Sequence, residues 1–510
     1  MKYLYKIAAI AGLCISAGAC TNLDEQLFDR LPADQFGNTD REINALIAPI
    51  YRTLKGIWSP AYYCMVEGTS DMAITPTRKG GDGWEGGLFK EFRFGSWTSG
   101  NRYITDTYNN CMRGISTCNQ IYHTVNTNPA VQNKESILAE IRAVRALWYY
   151  ILVDNYGNVP IVTDFNDTSN PSTSSRKDVF RFIISELNAI KDVVREDVSS
   201  ASYGKMTKGA VYTLLAKMYL NAEIWDPEGG PKWEECIAAC NAVMALDYVL
   251  ESDWKASFAV HNEASKEIIF PIVFSTVDGG NIMHQHTLHY LTNIALGILP
   301  RGFNGINAMP GYVYAYDDAD KRKAGSFLWG PQIDPATGKV LITAHGRPLN
   351  HYIDFTFKYN VDADGWGQVE QEDGARCNKW EFEKGVNGPM ENDFAIFRLA
   401  DVYLMKAEAL LRSGGDASEA LTLVNSIRER AFDDPTKLKN NVTLQDIYAE
   451  RRFELAWELV SRQDMIRFGT FLEPIPGPVG RGALNAQKLL YPIPRTAIDA
   501  NPNLEQNPGY

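Results

Sequence analysis

The stretch SDMAITPTRKGGDGWEGGLFKEFRFGSWTSGN (70–101) gathers in one loop the residue types that hold a polyhydroxylated ligand. Trp84 stands between Gly83 and Gly86-Gly87, which free the backbone to present the ring outward. Asp71, Arg78 and Asp82 lie close by in sequence. A sugar offers axial C–H faces to a ring and a rim of hydroxyls to paired polar groups, so this constellation suits capture. Trp97, in a less glycine-rich context, is expected in the core. GFNGINAMPGYVYAYDD (302–318) adds Asn304 and Asn307 as hydrogen-bonders, although Asn-Gly is equally a plain turn. EDGARCNKWEF (372–382) adds Trp380 and Arg376, whose guanidinium can meet a ligand or pair with a local acid.

Two patterns invite a metal. NVDADGWGQVEQ (360–371) places Asn360, Asp362, Asp364 and Gly365 as a calcium loop would, but Gln371 stands where a bidentate Glu is expected. With no flanking helices, the segment reads as an acidic turn; no cofactor is expected, and calcium is kept only as a candidate. HQHTLH (284–289) supplies His284, His286 and His289. On a strand the first two would share a face, yet no nearby Cys or paired carboxylate completes a zinc set. For catalysis the chain has no GxSxG, HExxH or Walker sequence. Glu450, Glu454 and Glu458 share a helix face beside Arg451 and Arg452, a salt-linked structural pattern rather than an acid/base pair.

These residues must be carried by helices, because helical periodicity dominates the chain. Thr39-Asp40-Arg41-Glu42 is a capping-box start, followed by an apolar stripe through Ile43, Leu46, Ile47, Ile50, Tyr51 and Leu54, with Pro49 expected to kink it. Val144, Leu147, Trp148, Ile151 and Leu152 mark another helix. LLAKMYLNAEIW (214–225) and RLADVYLMKAEAL (398–410) each lead into a second helix, so Leu-Ala-x-x-Tyr-Leu recurs in two helix–turn–helix units. That resembles a tetratricopeptide repeat, whose apolar face must stack on a neighbour. One long last helix is expected over 444–469. Two stretches, 56–105 and 248–390, do not read as helix; they are rich in Gly, Asn, Asp and aromatics, with strand-like pieces at 267–275 and 351–359. Loops of that length are usually functional.

The N-terminus carries its own chemistry. Lys2 and Lys6 precede an apolar run from Ile7 to Ile15, too short to span a bilayer, and then small residues up to Cys20. Residues 1–19 are an expected export signal, and Ala17-Gly18-Ala19-Cys20 resembles the lipobox of bacterial lipoproteins, where the thiol is lipidated. Asp24 and Glu25 resemble the acidic tags that send such lipoproteins to the cell surface in Bacteroidetes. The balance is acidic, 62 Asp+Glu against 50 Lys+Arg, with no basic run, so nucleic acid is not an expected partner. Beyond Cys14 and Cys20, the six remaining cysteines include Cys111/Cys118 and Cys236/Cys240 at helical spacing, which favours buried thiols over a disulfide framework.

Five blocks are similar, in order, to the SusD/RagB family: EIRAVRALWYYILVDNYGNVPIV (140–162), KGAVYTLLAKMYLNA (208–222), NDFAIFRLADVYLMKAEALLRSGG (392–415), ERRFELAWELVSRQDMIRFG (450–469) and LYPIPRTAIDANPNLEQNPGY (490–510). The one departure is ELVSRQDMIRFG, where many relatives have Glu-Gly-x-Arg-Trp before the Asp; it touches a structural segment. The resemblance implies a mainly α fold, a tetratricopeptide-like helix-pair scaffold with long, mostly irregular insertions carrying a few short strands. It implies a non-catalytic, surface-exposed outer-membrane lipoprotein that captures a glycan and hands it to a SusC-like TonB-dependent transporter. The 80–87 loop resembles the family's Gly-Gly-Asp…Trp segment, 302–318 a pocket-lining segment, and Arg376 stands in a Gly-x-Arg common there. The expected layout is a signal (1–19), a lipidated tether (20–39) and one domain (40–510), with scaffold at 40–55, 106–247 and 391–469 and ligand-binding insertions at 56–105 and 248–390. Two other readings stay open: a peptide binder, as in the RagB branch, and a surface-anchored helical glycoside hydrolase.

Overall fold

The computed structural model describes residues 36–510; the expected export signal, Cys20 and most of the expected tether lie outside them. The scaffold begins with α1 (Asp40–Thr53), whose capping box forms as expected: the Thr39 hydroxyl accepts from the Glu42 N–H (3.3 Å), and the Glu42 carboxylate accepts from the Thr39 N–H (3.2 Å). The segment 56–105, expected without helix, holds α2 (Pro60–Gly68), a short helix over Leu88–Phe94 and the start of a long helix at Arg102. Its buried tyrosines and methionine pack where aromatic content had suggested loop.

The helical array continues through α3 (Arg102–Thr127), α4 (Lys134–Asn155), α5 (Arg176–Ile190), α6 (Lys208–Leu220) and α7 (Trp233–Met244), and then α8 (Leu399–Ser413), α9 (Ala417–Ala431) and α10 (Leu444–Glu454). Each packs against the next. Side-chain caps at Asn101, Ser175 and Asp416 satisfy first-turn N–H groups, and Gly414 ends α8 at φ 71°. Gly114 lets α3 approach α4 closely, since a Cβ there would lie 2.2 Å from the Trp148 ring. α7 and α8 pack directly although residues 245–398 separate them in sequence, so the second insertion leaves the array and returns to the same place. Its two ends meet as β1 (Ile268–Ile272) and β2 (Phe394–Arg398), antiparallel, with Phe394 opposite Ile272 and Arg398 opposite Ile268; β2 runs straight into α8. Residues 351–359 form little strand: Asn350–His351 pair with Gly330–Pro331, and Tyr352 and Tyr359 make single bridges to Asp373 and Gln368.

Buried charges tie the insertion base to the scaffold. Arg398 meets Glu267 (2.9 Å), Glu454 (2.6 Å) and Glu458 (2.6 Å). Arg430 bridges Glu267 and Glu454, and Arg322 bridges Glu450 and Glu454. Burial alone would raise the Glu454 pKa, but Arg430, Arg398 and Arg322 hold it well below the usual carboxylate range. The salt-linked reading of Glu450, Glu454 and Glu458 therefore matches their surroundings, with one correction. The single helix expected over 444–469 breaks into α10 and α11 (Ser461–Arg467). Trp457 (φ 70°) and Leu459 (φ 63°) take left-handed backbone between them. Tertiary bonds hold that conformation against its strain: Lys379 Nζ donates to the Glu454 and Ala456 carbonyls (2.7 and 2.9 Å), Trp457 Nε1 to the Ser326 carbonyl (3.0 Å), and the Leu459 N–H to Glu67 (2.8 Å). The six described cysteines outside the tether are all free and buried. No helix among the described residues is long and apolar enough to cross a membrane.

Candidate functional site

Short ladders sew the two insertions together. Ala73–Ile74 pair antiparallel with Asn307–Ala308, and Thr77–Arg78 pair parallel with Gln368–Val369. The loop that follows turns on Gly83, at φ 74°, where a Cβ would lie 2.6 Å from the Pro76 carbonyl oxygen, so only glycine fits. The Trp84 carbonyl accepts from the Gly87 N–H (2.6 Å), and the indole is left 46% exposed. Asp82 is exposed, and its carboxylate accepts from the Tyr290 hydroxyl of the second insertion. Asp71 is partly exposed and pairs with Arg452 of α10 (2.6 Å). Of the residues singled out in 70–101, these three reach the surface; Trp97 is core, as expected.

Arg78, Asn304, Asn307 and Arg376 were expected to offer hydrogen bonds to a ligand. The structure instead buries all four and directs their polar atoms at one another and at the backbone. Arg78 Nε donates to the Asn304 carbonyl (3.0 Å), Nη1 to the Asp373 carbonyl (2.7 Å), and Nη2 to the Gly305 carbonyl (3.1 Å) and Asn307 Oδ1 (2.7 Å). Arg376 donates to the same Asn307 Oδ1 (3.3 Å), to Asn304 Oδ1 (2.8 Å) and to the Gln371 carbonyl (3.2 Å). Among the described residues neither guanidinium forms a salt bridge. The fork of donors on an arginine matches the converging carbonyl ends of three loops, which a lysine could not do. Burial lowers the Arg78 pKa to about 10 and that of Arg376 well below its usual value. The four residues thus fix the loops behind the surface.

Other expectations are corrected similarly. Trp380 is core, packed on Trp58 (5.0 Å between centroids), Phe258 (5.7 Å) and Phe394 (5.9 Å). At the calcium-like turn, Lys90 Nζ lies 2.7 Å from Asp362 and 2.6 Å from Asp364, so a lysine already supplies the positive charge. Asp362 Oδ1 also accepts from the Asp364 and Trp366 N–H groups, an ordinary acidic turn, and Asn360 sits in left-handed backbone (φ 48°). The histidine stretch is a short helix, Met283–Thr287, not a strand. Burial lowers His284 and His286 to about 4 and His289 to about 3, so all three are neutral bases near pH 7. Among the described residues no three His, Cys, Asp or Glu side chains gather as a metal set.

The surface also presents aromatics that sequence reading passed over. Trp329 and Tyr352 flank the 330–331/350–351 ladder at one end and are 37% and 43% exposed. Tyr314 is 53% exposed, its hydroxyl donating to Asp354 (2.7 Å), and Phe303 is also 53% exposed. Tyr290 repeats the Tyr314 arrangement with Asp82: a partly exposed ring whose hydroxyl is held by an exposed carboxylate. A signal existed for Trp329. It precedes Gly330-Pro331, the same aromatic-beside-turn pattern that marked Trp84. For Tyr314 and Tyr352 no local pattern separates an exposed ring from a buried one; Tyr312, two residues away, is buried.

Comparison with known proteins agrees with this architecture. Residues 357–510 match the model of the SusD family, and residues 86–220 match a SusD-like model described as starch-binding associating with outer membrane. The starch-binding protein SusD of Bacteroides thetaiotaomicron is 27% identical over 409 residues, covering 73% of this chain and 72% of that protein. A SusD-like protein of Formosa agariphila, P2, is 25% identical, covering 99% of both chains. Among solved structures, surface glycan-binding protein A of Bacteroides thetaiotaomicron in complex with laminarihexaose superposes with a TM-score of 0.75 at 18% identity, covering 92% of this chain and 99% of that one. A SusD superfamily protein of Parabacteroides distasonis gives the same TM-score at 21% identity, covering 94% and 100%. The chain belongs to the SusD/RagB family, with its mainly helical, tetratricopeptide-like fold.

Proposed function

We propose that the protein captures an oligosaccharide on the face built by its two insertions and passes it to a SusC-like TonB-dependent transporter, without catalysis. The observation that carries this reading is a set of solvent-exposed rings on the two insertions, Trp84, Tyr314, Trp329 and Tyr352, in segments that follow or pair with those held by the Arg78–Asn304–Asn307–Arg376 cluster. Rings on pre-ordered loops can stack on pyranose faces without losing much freedom on binding. Asp82 and Asp354, each fixed by a tyrosine hydroxyl, add acceptors for sugar hydroxyls. Relatives named as starch-binding or glycan-binding support a carbohydrate over a peptide. The non-catalytic reading draws on the burial of Glu450, Glu454 and Glu458 among arginines and Lys379, away from solvent.

Cys20 would hold the mature protein to the outer membrane beside its transporter, facing the exterior. A Cys20→Ala protein should be recovered as a soluble species; finding it still in the membrane fraction would contradict the anchor. The test of capture is calorimetric titration of the purified protein with a panel of oligosaccharides, wild type beside Trp84→Ala and Tyr352→Ala. Heat lost in either variant places the ligand on this face. Heat retained in both moves it elsewhere, and release of reducing ends from any polysaccharide would overturn the non-catalytic reading.

A further inference from the structure

Three cations gather where the two insertions meet. Lys79 Nζ lies 3.7 Å from Glu370 Oε2 and Arg347 Nη1 lies 3.2 Å from Glu370 Oε1, so both address one carboxylate. Arg347 Nε also meets Glu372, and Lys358 Nζ lies 3.7 Å from Asp373, whose carboxylate accepts from the Glu370 N–H (3.1 Å). Backbone pairing brings them together: the Lys79 N–H donates to the Val369 carbonyl and the Lys358 N–H to the Gln368 carbonyl, at 2.8 Å each. Lys79 opens the loop that carries Trp84, and Tyr352 bridges to Asp373, so the cluster is joined to the segments of two exposed rings. The side chains of Glu370, Glu372 and Asp373 are only 2–3% exposed, whereas those of Lys79, Lys358 and Arg347 are 39%, 43% and 44% exposed. Solvent therefore meets the positive ends. At the Lys323–Asp318 pair the order is reversed, with the acid 96% and the lysine 11% exposed. A separation of 3.7 Å is too long for a hydrogen bond, and neither the Lys79 nor the Lys358 ammonium has a hydrogen-bond partner among the described residues. The Tyr359 ring under Lys79 Nζ (4.6 Å) steadies it without taking a donor.

We infer that the captured oligosaccharide is acidic, and that a carboxylate or sulfate group on one of its sugars is received by Lys79, Lys358 and Arg347 while Trp84 and Tyr352 stack on its neighbours. This inference rests on the capture proposed above and names its substrate class. An ionised oxygen group accepts from ammonium and guanidinium donors in bonds about twice as strong as neutral ones. The buried acids beneath hold three long side chains in place, so less of their freedom is lost when a ligand arrives. The exposed carboxylates Asp82 and Asp354 accept instead from the hydroxyls of Tyr290 and Tyr314, and among the described residues they form no ion pair with the three cations. General basicity does not account for the cluster, because the chain carries a formal charge of −12. The ordinary alternative is a set of ion pairs that merely brace the loops. It explains Arg347, which is at bonding distance, but leaves two ammoniums poised beside buried acids with no bond made.

The test is calorimetric titration of the purified protein with matched pairs: an oligogalacturonide beside its methyl ester, and a sulfated galactan oligosaccharide beside its desulfated form. In at least one pair the acidic member should bind about tenfold more tightly or better, the factor expected of a hydrogen bond to a charged group. Added salt should narrow that gap. The pair that shows the preference tells carboxylate from sulfate. Lys79→Gln and Lys358→Gln should each shrink the preference severalfold, whereas Lys358→Arg, which keeps the charge, should preserve it. Lys177→Gln, on α5 of the scaffold, should leave it unchanged. Should a Lys→Gln variant fail to fold, the matched pairs on wild type decide the matter. Equal affinity within each pair, or binding of neutral members alone, would overturn the inference and leave capture standing. Silence from neutral and acidic members alike would overturn capture and this inference with it.

Discussion

Two buried arginine clusters in this protein solve the same problem in opposite ways. Where the insertion base meets the scaffold, Arg322, Arg398 and Arg430 are matched by Glu267, Glu450, Glu454 and Glu458 at hydrogen-bonding distance. Behind the loops that carry Trp84 and Tyr352, Arg78 and Arg376 meet only amide and carbonyl oxygens. The first arrangement compensates charge between elements already formed as helices and a strand. The second uses the guanidinium as a template: its donors collect the backbone carbonyls of Asn304, Gly305, Gln371 and Asp373, which no helix or sheet ladder would satisfy. A charged network suits a scaffold, and a neutral-acceptor network suits loops that must be rigid without regular structure.

Four measurements would break or sharpen that contrast. The largest effect is expected from Glu454→Gln, which leaves parts of three buried arginines uncompensated; removing one partner of a buried pair costs roughly 3–5 kcal/mol, read from urea denaturation. Asn307→Ala strips the shared acceptor from both loop arginines and should cost roughly 1–3 kcal/mol. It should also weaken oligosaccharide binding, whereas Glu454→Gln, at matched folded fraction, should bind normally. If both variants lose binding alike, the division of labour is wrong.

Acid should separate the regions as well. His289 is buried within the field of Arg376 and Arg78, and its pKa falls from 6.5 unfolded to about 3 folded because burial, then the two guanidiniums, disfavour its charged form. The unfolded chain therefore binds more protons below pH 6.5, and this contribution, complete above that value, is lost as pH falls toward 3. Glu67 and Asp393 act in the opposite sense, since burial raises them to about 7 and about 6. The difference between proteins isolates the histidine. His289→Asn should lose less stability than wild type on going from pH 7 to 4.5, by on the order of 2–3 kcal/mol. Parallel pH curves would remove His289 from the account. The smallest stability effect belongs to Trp84→Ala and Tyr352→Ala, within about 0.5 kcal/mol for exposed side chains, even where binding is lost. A large fall in stability for either would make these rings structural.

How much was legible in advance differed by region for a physical reason. The helical array announced itself because a 3.6-residue apolar period records which face is buried, as in Leu399, Val402 and Met405 along α8, and because caps such as Thr39–Glu42 are local. The exposed Trp84 was legible because the glycines around it constrain a turn of a few residues. Nothing local distinguishes Arg78 from a surface arginine, or Tyr314 from buried Tyr312. Arg78 is decided by carbonyls more than 200 residues away, at Asn304, and buried Tyr312 by the Arg452 carbonyl that its hydroxyl meets. The break at Trp457 and Leu459 was hidden likewise, since α10 continues in helix-forming sequence and Lys379, Ser326 and Glu67 decide where it stops.

By itself, then, the sequence determined the helical scaffold, the family and the glycine-framed exposure of Trp84, because periodicity, capping and turn chemistry act over a few residues. Only the tertiary structure decided which polar residues face solvent and which brace the loops from within. Burial and hydrogen-bond satisfaction are set by partners that only folding brings together.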